Sequence, residues 1–175
     1  RDRNILFALL TVLLSSCFEL DNYDAPNAGI NGSLIDNETG EVVYTEQPDG
    51  CRIKLLDLGY KDPTPLYFWA KADGTFRNVA LFSGEYKVAP TEGPFFPITE
   101  EVVNLKGVTD HNFNVTPFLK IKLMEVTPGA SGKVTVKFSL KRSATPAGME
   151  IGEKTISEAW LLCNTTPIVS YYNGG

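Results

Sequence analysis

The 175-residue sequence has one histidine, His111, and three cysteines, Cys17, Cys51 and Cys163. A lone imidazole excludes multi-histidine metal sites, and no catalytic triad can be read around it. We expect His111 to be a strand-edge residue. No cysteine–histidine spacing fits zinc, and the acidic turn Asp36, Asn37, Glu38 lacks the glycine and distant glutamate of a calcium loop, so it reads as turn chemistry. Glycine loops that cradle phosphate before Lys and Ser or Thr are absent. Basic residues are few and scattered, 16 against 21 acidic for a net charge of −5, which excludes nucleic acid as a partner. Glu100 and Glu101 are adjacent and fall on opposite faces of a strand, a poor geometry for flanking one glycosidic bond; a pair from distant loops is the alternative, and nothing in the sequence singles one out. No catalytic residue set, metal or cofactor is therefore expected, and the chain reads as non-enzymatic. Helical periodicity is also nearly absent.

The longest apolar run, residues 5–14, stops short of the roughly 17 to 25 residues that span a bilayer. It is preceded by Arg1 and Arg3 and followed by Ser15, Ser16 and Cys17. A positive start, a short apolar core and small residues before a cysteine are the parts of a secretory signal. The stretch resembles a bacterial lipoprotein signal ending in a lipobox. That resemblance implies a signal peptide over residues 1–16, cleavage before Cys17, acylation of Cys17, and attachment to a membrane through it. Several fatty chains anchor stably where one holds only weakly. Cleavage would leave 14 basic and 20 acidic residues.

Residues 17–28 carry Glu19, Asp21, Asp24 and Pro26 without periodicity and read as an acidic tether. Acidic residues just after a lipidated cysteine resemble the export signal of Bacteroidetes lipoproteins displayed on the outer face of the outer membrane. An ordinary linker on the periplasmic face is the alternative. Cys51 and Cys163 are an even number in an oxidising compartment and could pair. Their apolar flanks in separate units favour two buried free thiols instead.

From residue 29 onward, short apolar segments are cut by turn residues at close intervals, the pattern of an antiparallel sandwich. Strands are expected over 30–35, 42–45, 51–58, 66–71, 76–82, 85–89, 101–105 and 111–115. In 51–58, Ile53 and Leu55 share one face and Arg52 and Lys54 the other. Asp73 and Gly74 supply a tight hairpin turn. Gly32, Leu34, Asp36, Thr39, Gly40, Asp73 to Phe76, Leu81, Gly84 and Tyr86 carry a resemblance to the carboxypeptidase regulatory-like, or transthyretin-like, β-sandwich. It covers residues 29–116 and implies architecture without chemistry.

Thr116, Pro117 and Phe118 mark a boundary. Residues 117–175 read as a second, immunoglobulin-like β domain, with strands at 119–126, 133–140, 155–163 and 168–172 and with Val134, Val136 and Phe138 facing inward. Such a sandwich needs about seven strands, so the sequence reads as part of a longer chain. From Asn22, Asp24 and Pro26 through Val115, Thr116 and Pro117 it resembles a two-domain lipoprotein family of Bacteroidetes of unknown function. Its members tend to be encoded beside the SusC-like transporter and SusD-like glycan-binding lipoprotein of polysaccharide-utilisation loci. The resemblance implies a neighbourhood and transfers no functional residue.

Aromatic residues remain. Tyr60, Tyr67 and Trp69 flank a proline-containing loop, and Phe95 and Phe96 sit in another. Rings displayed on loops can stack on the apolar face of a sugar, although filling the sandwich core or the interdomain seam is their commoner fate. Along 66–71, Phe68 falls on one face and Tyr67 with Trp69 on the other. The leading expectation is a lipid-anchored accessory protein that captures polysaccharide beside a SusC/SusD-like importer. A structural stalk or protein-interaction module on the cell surface is the alternative.

Overall fold

The computed structural model describes residues 24–149, 155–167 and 169–172. The expected signal peptide, Cys17 and residues 18–23 of the tether lie outside these residues, as does Ile168. Among the described residues the protein is all-β, with no α-helix and one 3-10 turn, Ala130–Gly132. No described helix is long and apolar enough to cross a membrane.

Eight strands build a sandwich: β1 (Ala28–Asp36), β2 (Arg52–Asp57), β3 (Leu66–Trp69), β4 (Thr75–Leu81), β5 (Gly84–Thr91), β6 (Glu101–Leu105), β7 (Gly107–Asp110) and β8 (Phe113–Val115). One sheet runs β4-β1-β7, with β8 also on β1; the other runs β3-β2-β5-β6. The second sheet is antiparallel throughout. The first is mixed, because β7 and β8 lie parallel to β1, a departure from the wholly antiparallel expectation.

Alternation along each strand explains the core. Ile30, Leu34, Phe76, Phe113 and Val115 come from one sheet and Ile53, Leu55, Val88 and Leu105 from the other, each at most 1% exposed. Phe76 joins the layers, its ring 5.5 Å from Phe113 and 6.3 Å from Phe68 of the opposite sheet.

The turn at Asp73 and Gly74 has the expected chemistry. Gly74 sits at φ 73°, and Asp73 Oδ1 accepts the Thr75 N–H at 3.0 Å. The turn closes tightly, the Gly74 N–H donating to the Lys71 carbonyl at 2.9 Å and the Lys71 N–H to the Thr75 carbonyl at 2.7 Å, yet β3 and β4 belong to different sheets, so beyond it the chain arches between layers. The chain crosses back after β4, where Tyr86 donates its hydroxyl proton to the Phe82 carbonyl at 3.1 Å and pins the corner.

Residues 111–115 do not form one strand. The chain kinks at His111 and Asn112, where the His111 N–H donates to the Asn31 carbonyl at 2.8 Å and the Ser33 N–H donates to Asn112 Oδ1 at 2.9 Å. A Cβ at position 32 would lie 1.8 Å from the His111 carbonyl oxygen, so only glycine allows this approach. Residues 42–45 likewise form no strand beyond a bridge between Val42 and Ile35.

After residue 116 the structure differs most from expectation. Here β9 (Leu119–Pro128) and β10 (Val134–Arg142) form one antiparallel hairpin. No strand forms among the described residues of 155–163 and 168–172. The alternation is real: a register shift beside Phe138 keeps Ile121, Leu123 and Val126 on the face of Val136 and Phe138. But no second layer covers that face among the described residues, so Ile121 (71% exposed), Val134 and Phe138 are exposed rather than inward.

The hairpin is fastened to the sandwich by charge. Lys120 Nζ lies 3.0 Å from Asp36 Oδ2 and 2.6 Å from Glu38 Oε2. Burial pushes the Asp36 carboxyl up, but the Glu38 amide, Lys120 and Thr39 outweigh it and hold the group below the ordinary carboxylate value. Because the folded value is depressed, its contribution to stability is complete above the unfolded value, near pH 4. It is lost as pH falls through the folded value. Lys120→Met should therefore speed amide exchange in β9 and β10 at pH 7 while leaving β2 and β5 unchanged.

Cys51 and Cys163 are both unpaired. Cys51 is buried as expected; Cys163 is exposed, because no strand or covering layer forms around it. Burial pushes the Cys51 thiol up to about 12. Iodoacetamide at pH 8 should therefore label Cys163 and spare Cys51 until the chain unfolds, as read by peptide mass mapping.

Candidate functional site

The outward face of the second sheet follows from the alternation in β2 and β3. Arg52 pairs with Trp69 and Lys54 with Tyr67 in the register between these strands. With Ile53, Leu55 and Phe68 turned to the core, the two cations and two rings must share the outside. Tyr67 is 43% exposed and Trp69 42%.

Arg52 braces both rings. Its guanidinium carbon lies 4.7 Å from the Tyr67 ring centroid and 5.4 Å from that of Trp69. Such contacts are worth about 0.5–1 kcal/mol at exposed sites, and here they also fix the rings before any ligand arrives. Arg52 is itself hydrogen-bonded and ion-paired to Glu92, next to the end of β5. Lys54 Nζ donates to Glu100 Oε1 at 2.6 Å. That hydrogen bond raises the Lys54 ammonium and lowers the Glu100 carboxyl, so the pair stays charged throughout the neutral range.

Beside this face lies a cleft of about 690 Å³. Phe95, Phe96, Phe118 and Ile98 give it apolar walls, and Lys54, Glu92, Glu100 and Arg142 give it a polar rim. Apolar walls with a few convergent polar groups are the usual make-up of a ligand site. A second cleft of about 730 Å³ lies where the sandwich meets the hairpin. Of its charged groups, Asp36, Glu38, Lys120 and Lys141 pair with one another and fasten β9 and β10, while Glu41 and Lys122 line the same cleft. The first cleft adjoins the exposed rings braced by Arg52, and on that ground it is the candidate.

The rings expected from sequence do not all gather here. Tyr67 and Trp69 form the exposed pair. Tyr60, 69% exposed, sits past the Asp57 end of β2, the end away from Arg52 and Trp69. Phe95 and Phe96 are only 4% and 5% exposed, which corrects their reading as displayed rings. Phe95 packs into the core and bridges to Pro117, and Phe96 meets the Phe118 ring edge-on at 4.8 Å. They wall the cleft and cannot offer a full ring face.

Arg52, Lys54, Glu92 and Glu100 were missed as site residues. The signal for the first two was present, since alternation places them opposite Ile53 and Leu55. Reading it required the β2–β3 pairing across the intervening loop. Glu101 stands 3.2 Å from His111 Nε2 on the other side of the strand. No group of three metal-ligating side chains occurs among the described residues.

Comparison with known proteins gives the chain a family. Residues 28–116 match the model for "Protein of unknown function (DUF3823) N-terminal domain". A DUF3823 family protein from Bacteroides uniformis is 28% identical with a TM-score of 0.62, over 69% of this chain and 56% of its own. A second protein from that organism, described as a "putative carbohydrate binding protein", is 29% identical with a TM-score of 0.60, over 67% of this chain and 54% of its own. A DUF3823 family protein from Parabacteroides merdae is 27% identical with a TM-score of 0.57, over 68% and 60%. The chain thus spans less than two thirds of the length of these relatives. No curated protein matches. None of these family or relative descriptions names a catalytic activity. With its matched region covering just over half of the 175 residues, the chain belongs to the DUF3823 family.

Proposed function

We propose that this protein is a non-catalytic polysaccharide-binding protein whose ligand stacks on Tyr67 and Trp69 and extends along the neighbouring cleft. The observation that carries this reading is a pair of exposed rings held by Arg52 beside an apolar-walled cleft with fixed charges on its rim. Sugars present apolar C–H faces and a belt of hydroxyls. Rings suit the faces, and the ion-paired Glu92, Glu100 and Lys54 offer acceptors and donors to the hydroxyls. A pre-braced ring loses little freedom on binding. The relative described as a carbohydrate binding protein supports the same class of ligand.

Around this site we place the chain on the outer membrane, anchored through acylated Cys17 and exposed on the cell surface, serving a SusC/SusD-like importer. The lipobox-like stretch and the acidic tether support that placement. Affinity electrophoresis and calorimetry against plant, host and microbial polysaccharides test the binding claim. Retention by at least one polymer, lost in Trp69→Ala, is the expected result, and silence across the panel would remove the claim.

The stalk or interaction module stays the second reading, favoured by the exposed apolar face of the hairpin. It requires a stoichiometric partner from detergent-solubilised membranes whose binding is lost on Ile121→Ser with Phe138→Ser.

A further inference from the structure

The last described residues return to the sandwich and carry a second group of rings. The Tyr171 N–H donates to Glu46 Oε1 at 2.9 Å, and the Tyr172 hydroxyl approaches Asp49 Oδ2 at 3.4 Å. Trp160 stacks on Tyr171 with centroids 5.1 Å apart and planes 26° from parallel, and Tyr172 meets Tyr171 edge-on at 6.0 Å. These rings are not core: Trp160 is 60% exposed, Tyr171 58% and Tyr172 69%.

Their seat adjoins the candidate site. The loop carrying Glu46 and Asp49 runs directly into β2 at Arg52. It is tied to the residue after Trp69, since Gln47 Nε2 donates to the Ala70 carbonyl at 3.0 Å and the Ala70 N–H donates to the Cys51 carbonyl at 2.9 Å. Both groups of rings therefore lie at the same end of the second sheet.

We infer that Trp160, Tyr171 and Tyr172 form a second stacking subsite for the same ligand, a neutral polysaccharide long enough to engage both groups of rings. This rests on the reading of Tyr67 and Trp69 given above. The neutral class follows from charge. Both side chains that seat the new rings are carboxylates, and among the described residues no cation stands over any of the three rings. A carboxylate accepts hydrogen bonds from sugar hydroxyls but repels uronate and sulfate groups. Two linked contacts make the second binding event intramolecular, so chain length becomes a determinant of affinity.

The test is calorimetry on the full chain with hydroxyethyl cellulose, xyloglucan and galactomannan as neutral polymers. Short oligosaccharides of each and polygalacturonate as an acidic polymer complete the set. At least one neutral polymer should bind, polygalacturonate should not, and Trp160→Ala and Tyr171→Ala should each weaken polymer binding about tenfold. Oligosaccharides too short to bridge should bind these variants as they bind the unmodified chain, and the melting temperature should not move. Polymer binding unchanged in Trp160→Ala but lost in Trp69→Ala would overturn the second subsite and leave the first standing. Polygalacturonate binding more tightly than every neutral polymer would overturn the ligand class. A Trp160-dependent dimer in sedimentation would show that the rings cover another copy of the chain, which also overturns the inference. Failure of the unmodified chain to bind any neutral polymer would overturn the subsite, and silence across the full panel would overturn the parent reading as well.

Discussion

Trp69→Ala should weaken binding of the retained polysaccharide by roughly thirtyfold, the equivalent of about 2 kcal/mol, without lowering the melting temperature. The ring is 42% exposed and stands on the face opposite Ile53 and Leu55, so its removal opens no cavity in the core. What is lost is a flat apolar surface already held in place by Arg52. Tyr67→Ala should behave alike. Arg52→Ala should give a smaller loss, because both rings remain but must be ordered by the ligand itself. Val102→Ala, at an exposed position on β6, should change nothing. A Trp69→Ala variant that binds as tightly as the unmodified protein would move the ligand elsewhere.

Phe76→Ala should cost about 3–5 kcal/mol, a large part of the roughly 5–15 kcal/mol that stabilises a typical domain. Phe76 is 1% exposed and touches Phe113 in its own sheet and Phe68 in the other. Its removal leaves a void that both layers border, and tightly packed surroundings collapse only in part. Phe82→Ala removes a ring that is 48% exposed and should cost far less. Denaturant titration of the two variants separates these cases. Equal midpoints would mean that Phe76 is not where the sheets are joined.

The parts of this structure set by local alternation are legible in the sequence. Ile53 and Leu55 against Arg52 and Lys54, and Phe68 against Tyr67 and Trp69, fall on the expected faces, because a strand's side chains have period two whatever the strand pairs with. Features set by distant neighbours are not. Asp73 and Gly74 make the same turn whether the flanking strands pair or part, so the arch between sheets left no local mark. The parallel pairing of β7 and β8 with β1, and the approach of His111 to Gly32, join segments about eighty residues apart. Phe95 and Phe96 lie among prolines and look like loop residues, and it takes the packing of Phe95 into the core and of Phe96 against Phe118 to bury them. The hairpin's apolar face was legible as alternation, but alternation alone cannot supply the layer that covers it. Half of the candidate site was visible for the same reason. The rings could be read, whereas the Arg52 brace required the β2–β3 register and the Lys54–Glu100 pair the β2–β5 and β5–β6 registers. Trp160 and Tyr171 meet through a return of the chain that no periodicity announces.

The most direct measurement of the central claim is an amide shift map of the isotopically labelled protein titrated with an oligosaccharide of the retained polymer. Shifts concentrated on β2, β3 and residues 89–100, together with the Trp69 indole N–H, are the predicted result. Shifts confined to the β4-β1-β7 sheet or to the β9–β10 hairpin, with the Trp69 indole unmoved, would contradict it.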